Sequence, residues 1–102
     1  MRAQGIDAIV VALCADFPRR QAAIEARTAR RRVDVEFRYL NFKIYEAVRR
    51  VCLDDEEAEV LIEEIGKEVG YARSRLDYLS EFTYKRYKRR AIDGIAEELY
   101  LK

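Results

Sequence analysis

The chain has 102 residues, half of them apolar and 38% charged, with four glycines, one proline and no histidine. That composition describes one helical domain with a modest core and excludes disorder. The lack of histidine removes the commonest general base and every Ser-His or Cys-His nucleophile, so no enzyme is expected. The formal net charge of +1 conceals banding: residues 1–52 carry eleven basic and six acidic groups, residues 53–72 one and eight, residues 73–102 eight and five. A basic band can meet a polyanion even when the total is near zero.

Ile6, Ile9, Val10, Leu13 and Cys14 recur at helical spacing, which predicts a first helix over about 4–15. Its run "AIVVALCA" is too short to span a membrane and is bracketed by Asp7 and Asp16. It reads as a core helix of a cytoplasmic protein, with no membrane partner. Pro18 disfavours helical backbone at Phe17 and suits the first turn of the next helix, with Asp16 or Phe17 as the cap. Val33, Phe37, Leu40, Ile44, Val48 and Val51 then keep one face apolar over five turns. One long central helix over about 19–52 is expected, with "RTARRR" (residues 27–32) marking where it can break, near Thr28. Tyr39, Phe42 and Tyr45 flank the stripe. They are either core or the surface of a homodimer, because so long a helix has more apolar face than one short neighbour covers.

Asp54 followed by Glu57 is a capping-box-like helix start. Leu61, Ile62, Ile65 and Val69 form the face of that third helix, and Gly70 is its expected left-handed terminator. Ser74 and Ser80 are two further caps, predicting a short helix over 74–79 and a last one over 81–100, with Ala91, Ile92, Ile95, Ala96 and Leu99 inward. No strand-like alternation is present. The expected fold is all-α and a single domain, with N-terminal helices in 1–53 and a helix-turn-helix-like unit in 54–102.

Cys14 and Cys52 fall in apolar helical patterns and read as buried free thiols, with a disulfide between them the alternative that sequence alone cannot place. Two cysteines without histidine cannot build an ordinary structural zinc site. The acids of "DDEEAE" (residues 54–59) suit a helix N-terminus better than a hard-cation loop. No metal and no cofactor are expected.

The stretch "IGKEVGYARSRLDYL" (residues 65–79) has the spacing of a helix-turn-helix corner. Gly66 stands where a second helix would cross closely and Gly70 in the turn. Ile65, Val69 and Tyr71 flank them, and Leu76 and Leu79 close from the far side. A plain bundle corner has the same spacing. The charge that follows favours DNA. "YKRYKRR" (residues 84–90) carries five cations around two helical turns, with no acid between Glu81 and Asp93. With a recognition helix starting at Ser80, Thr83 and Tyr84 lie nearest the bases. Lys85, Arg86, Lys88, Arg89 and Arg90, with Arg73 and Arg75 on the preceding turn, then meet phosphates. A start at Ser74 is the alternative register. "RTARRR" is either a second phosphate contact or a solvated helix face.

"IEEIGKEVGY" followed by "SEFTYKRYKRRAIDGIAEEL" resembles the C-terminal part of small phage-encoded transcription regulators of the RinA and ArpU type. Those in turn are similar to the sigma-factor domain that reads the upstream promoter element. Ser80, Thr83, Arg86, Arg90, Ala91 and Ile92 fall on the pattern, and "CADFPRR" (residues 14–20) and "YLNFKIYEAV" (residues 39–48) resemble the first half of such proteins. The departure is the distance from Gly70 to Ser80, where a tight turn is usual. The resemblance implies sequence-specific binding of duplex DNA and control of phage or prophage late genes, with RNA polymerase as a partner. The rival class is a non-enzymatic helical adaptor whose acidic third helix meets a basic partner. A reader would leave Thr83–Arg90 exposed, whereas an adaptor would bury Tyr84 and Tyr87.

Overall fold

The computed structural model describes residues 4–102. Among these there are five α-helices, one 3-10 turn and no strand: α1 (Gln4–Ala15), α2 (Phe17–Ala26), α3 (Arg31–Arg49), α4 (Asp55–Gly66), the 3-10 turn Tyr71–Arg73, and α5 (Glu81–Glu98). The all-α class expected from the sequence is therefore the class observed. None of these helices is long and apolar enough to cross a membrane.

The long helix expected over 19–52 is divided into two helices, and the break falls where it was allowed, near Thr28. Asp16 occupies the N-cap position of α2 without a side-chain capping bond, and Pro18 lies in its first turn. The helix ends where Arg27 turns left-handed (φ 55°), its N–H bonding to Ile24 and that of Thr28 to Ala23. "RTARRR" has no apolar face to bury, so a continuous helix there would gain no packing. The chain doubles back, and α2 covers one flank of α3. A buried polar network locks this hairpin to α1. Arg20, 3% exposed, donates to the Leu13 carbonyl at 2.6 Å and to Asn41 Oδ1 at 2.7 Å, and Asn41 Nδ2 donates to the Phe17 carbonyl at 3.2 Å. Burial lowers the Arg20 pKa below the usual guanidinium range, but the carbonyl at the end of α1 receives the charge where a helix dipole favours it.

Val10 and Cys14 of α1, Ile44, Ala47 and Val48 of α3, Leu61, Ile62 and Ile65 of α4, and Tyr84, Ala91, Ile92 and Ile95 of α5 share one core. Of the expected apolar stripe, Ile44 and Val48 are buried in the core, Phe37 and Leu40 are half-buried, Val33 stays open at 37% exposure, and Val51 lies beyond the end of α3. Both cysteines are buried free thiols.

α4 begins as its cap signal requires. Asp54 accepts from Glu57 N at 2.8 Å, and Glu57 returns a carboxylate oxygen to Leu53 N at 2.9 Å. Its end differs from expectation. The helix stops at Gly66, and the left-handed residue is Glu68 (φ 55°), with the Val69 N–H reaching back to Glu64 at 3.0 Å. Gly70 is extended (φ −84°) and has open space where a Cβ would stand. Gly66 is the close approach, but to α1. A Cβ there would lie 2.6 Å from Ala15 N. α4 rests on α1 and α3, and α5 on α3 and α1.

Candidate nucleic-acid interface

The segment between α4 and α5 is not the expected helix over 74–79. Ser74 is buried and starts no helix, standing instead at the end of the 3-10 turn. Its hydroxyl donates to Glu64 at 2.6 Å and accepts from Leu76 N at 2.8 Å. Glu64, 3% exposed, also accepts from Arg75 N at 2.8 Å and from the Tyr84 hydroxyl at 2.9 Å. One turn pair further back on the same face, buried Glu57 accepts the Tyr78 hydroxyl. Tyr71 closes the far side, donating to the Leu79 carbonyl at 2.6 Å, its ring 5.7 Å from that of Tyr84. The connection from Gly70 to Ser80 is thus held by two buried carboxylates, and it fixes where α5 begins.

That beginning is at Ser80, which resolves the helix register. Ser80 Oγ accepts from Thr83 N at 3.1 Å and donates to Thr83 Oγ1 at 2.9 Å. Thr83 is therefore part of the cap, half-buried. From there α5 divides into an inner and an outer face. Tyr84 belongs to the inner one. Expected nearest the bases, it is instead 1% exposed, and burial first, then its bond to Glu64, pushes its hydroxyl pKa up to about 12. Tyr87 is half-buried on the same side.

The cations sort in the same way. Lys88 donates to the Val69 carbonyl at 2.9 Å and lies 5.5 Å over the Tyr84 ring, on the inner flank. Arg89 makes a bidentate pair with Asp7 of α1, both bonds 2.9 Å, and reaches Asp93 at 2.8 Å. These carboxylates hold its pKa above the usual guanidinium range. Both side chains serve the fold where phosphate contacts were expected. Lys85 is exposed and pairs with Glu81 at 2.9 Å, and Arg75 pairs with Glu63 at 3.0 Å. Such solvent-facing pairs are weak and exchange readily for another anion. Arg73, Arg86 and Arg90 are exposed with no ion pair among the described residues, and Arg86 stacks 5.6 Å over Phe82, itself 69% exposed. The outer face thus brings together Phe82, Lys85, Arg86 and Arg90.

"RTARRR" is elsewhere. Glu98, at the end of α5, pairs with Lys43 and Arg50 of α3, and Gly94 faces Ala47, so α3 and α5 run antiparallel. At a rise of 1.5 Å per residue, Arg31 lies about 18 Å beyond Lys43, away from the start of α5. The two basic regions are therefore separated along the length of α3 and form no single surface.

Sequence reasoning missed Glu57 and Glu64 as the clasps of the site. The signal was there: they flank Leu61 at helical spacing, on the face that Ala58, Leu61 and Ile65 bury. No protein-family model, curated protein or solved structure matches the chain.

Proposed function

We propose that the protein is a DNA-binding transcription regulator whose recognition element is the outer face of α5. The observation that carries this reading is that face itself. An exposed, Ser80-capped helix start is followed by Phe82, Lys85, Arg86 and Arg90, with no carboxylate on the helix between Glu81 and Asp93. Arginines and lysines at this spacing neutralise successive phosphates, while the first turn of a helix reaches base edges in a major groove. Arg73 and Arg75, both exposed on the clasped connection, add two cations before α5 in the chain. The reading, in keeping with the resemblance of residues 80–99 to phage regulators, includes a sequence-specific site, phage or prophage late-gene control, a cytoplasmic location and RNA polymerase as a partner.

The burial of Tyr84 and the internal use of Lys88 and Arg89 favour a second reading, a helical adaptor without DNA. The two separate in a titration of fluorescent duplex DNA of random sequence at two salt concentrations. Micromolar binding that collapses with salt supports the regulator, and no binding at low salt leaves the adaptor.

A further inference from the structure

Among the described residues, the outward side of α3 has no partner. Val35, Tyr39 and Phe42 are 60%, 46% and 60% exposed, and together they form one apolar line on a helix whose opposite face is already buried in the core. The line extends at both ends into charge. Arg32, Val35, Tyr39, Phe42 and Glu46 are separated by steps of three, four, three and four, the spacing of a coiled-coil seam.

The order of charges along that seam states how it pairs. Arg32 and Glu46 lie seven residues on either side of Tyr39, and Glu36 and Lys43 lie three before and four after it. Beside a parallel copy, Arg32 would meet Arg32 and Glu46 would meet Glu46. Beside an antiparallel copy centred on Tyr39, Arg32 meets Glu46 and Glu36 meets Lys43, each twice, and Val35 meets Phe42. Arg32 and Glu36 are exposed with no ion pair among the described residues, Glu46 holds only the solvent-facing Arg50 at 3.3 Å, and Lys43, 3.4 Å from Glu98 of the same chain, would share its charge between Glu98 and the second copy's Glu36.

We propose that α3 is the interface of a homodimer, two copies packing antiparallel about a two-fold axis at Tyr39. The arrangement is isologous and closes on itself, so it yields a dimer and not a filament. It buries the apolar centre and sets complementary ion pairs at its ends, where charge fixes register more than affinity. The inference uses α3 alone and stands whether or not α5 binds DNA.

Sedimentation equilibrium of the full chain without DNA, in the tens of micromolar, tests it. The wild type is expected at twice the chain mass of 12.0 kDa. Arg32→Glu and Glu46→Arg should each give the monomer mass with unchanged helical circular dichroism, since Arg32 is exposed and Glu46, half-buried, has no core partner among the described residues. The double variant should regain the dimer, and Tyr39→Glu, which sets two like charges on the axis, should not. A monomeric wild type, a dimer indifferent to the single reversals, or a double variant that stays monomeric would overturn the proposal.

Discussion

Tyr84 of α5 donates its hydroxyl hydrogen to Glu64 of α4 at 2.9 Å, in a site where both side chains are all but closed to water. The same carboxylate receives Ser74 and the Arg75 amide. One buried acid therefore ties the end of the acidic helix, the connection and the first turn of α5 together. The outer face of α5 owes its position to that inner bond.

Replacing Glu64 by Ala leaves the Ser74 hydroxyl and the Arg75 amide without an acceptor, and the Tyr84 hydroxyl with only the Val69 carbonyl at 3.2 Å. A buried donor left unsatisfied costs about 1–3 kcal/mol, so Glu64→Ala should destabilise the fold by about 3 kcal/mol or more. Tyr84→Phe, which removes one donor and keeps the ring, should lose about 1–2 kcal/mol. Urea denaturation of the two variants and their combination would measure the coupling. A Glu64→Ala protein as stable as the wild type would contradict the clasp.

The two glycines of the corner should behave oppositely. At Gly66 a methyl group meets α1 backbone at 2.6 Å, and relieving that contact means moving one helix from the other, a loss of about 1–3 kcal/mol. Gly70 has ordinary negative φ and open space around it. Gly70→Ala should be neutral or stabilising by up to about 1 kcal/mol, through the unfolded chain. A strongly destabilised Gly70→Ala would restore Gly70 as an obligatory turn residue.

Stability should decline at alkaline pH. Burial pushes the Cys14 and Cys52 thiols from 9.0 up to about 12, and Tyr84 rises from 10.0 to about 12. Each group is kept neutral by the fold, so its contribution is fully present below the unfolded pKa and is lost as pH climbs through the folded one. The expected loss runs from about pH 9 to pH 12, read as a falling urea midpoint. Both thiols should also resist a disulfide reagent until the chain unfolds. Rapid labelling of native Cys14 would contradict its burial.

Arg89 and Arg86 offer a contrast on one helix. Arg89→Ala severs α5 from Asp7 of α1 and should lower stability by about 1–3 kcal/mol. Arg86→Ala removes an exposed group and should change stability by less than about 0.5 kcal/mol. Thermal melts of the two variants check this, and equal melting temperatures would contradict it.

Much of this molecule was legible where the signal is local. The extent of α1, the Asp54 cap, Pro18 in the first turn of α2 and the Ser80 start all depend on residues within one turn of each other. Helix ends were less legible. Arg27, Glu68 and Tyr100 take left-handed φ without the glycine that usually announces it, because tertiary packing decides where each chain must turn. The inward side of Tyr84 was readable in principle, since it precedes Ala91 by seven residues. The fate of Arg89 was not. Its partner lies 82 residues away, and a run of five cations looks the same in sequence whether or not a distant aspartate claims one.

The outer face of α5 is tested most directly by the salt dependence of duplex binding in the wild type, in Arg86→Ala/Arg90→Ala and in Arg89→Ala. Each phosphate contact contributes about 0.9 to the slope of log K against log salt, so losing two should flatten it by about 1.8. Arg89→Ala, once folded, should keep the wild-type slope. A slope unchanged by removing Arg86 and Arg90, or lost equally with Arg89, would place the phosphates elsewhere than on this face.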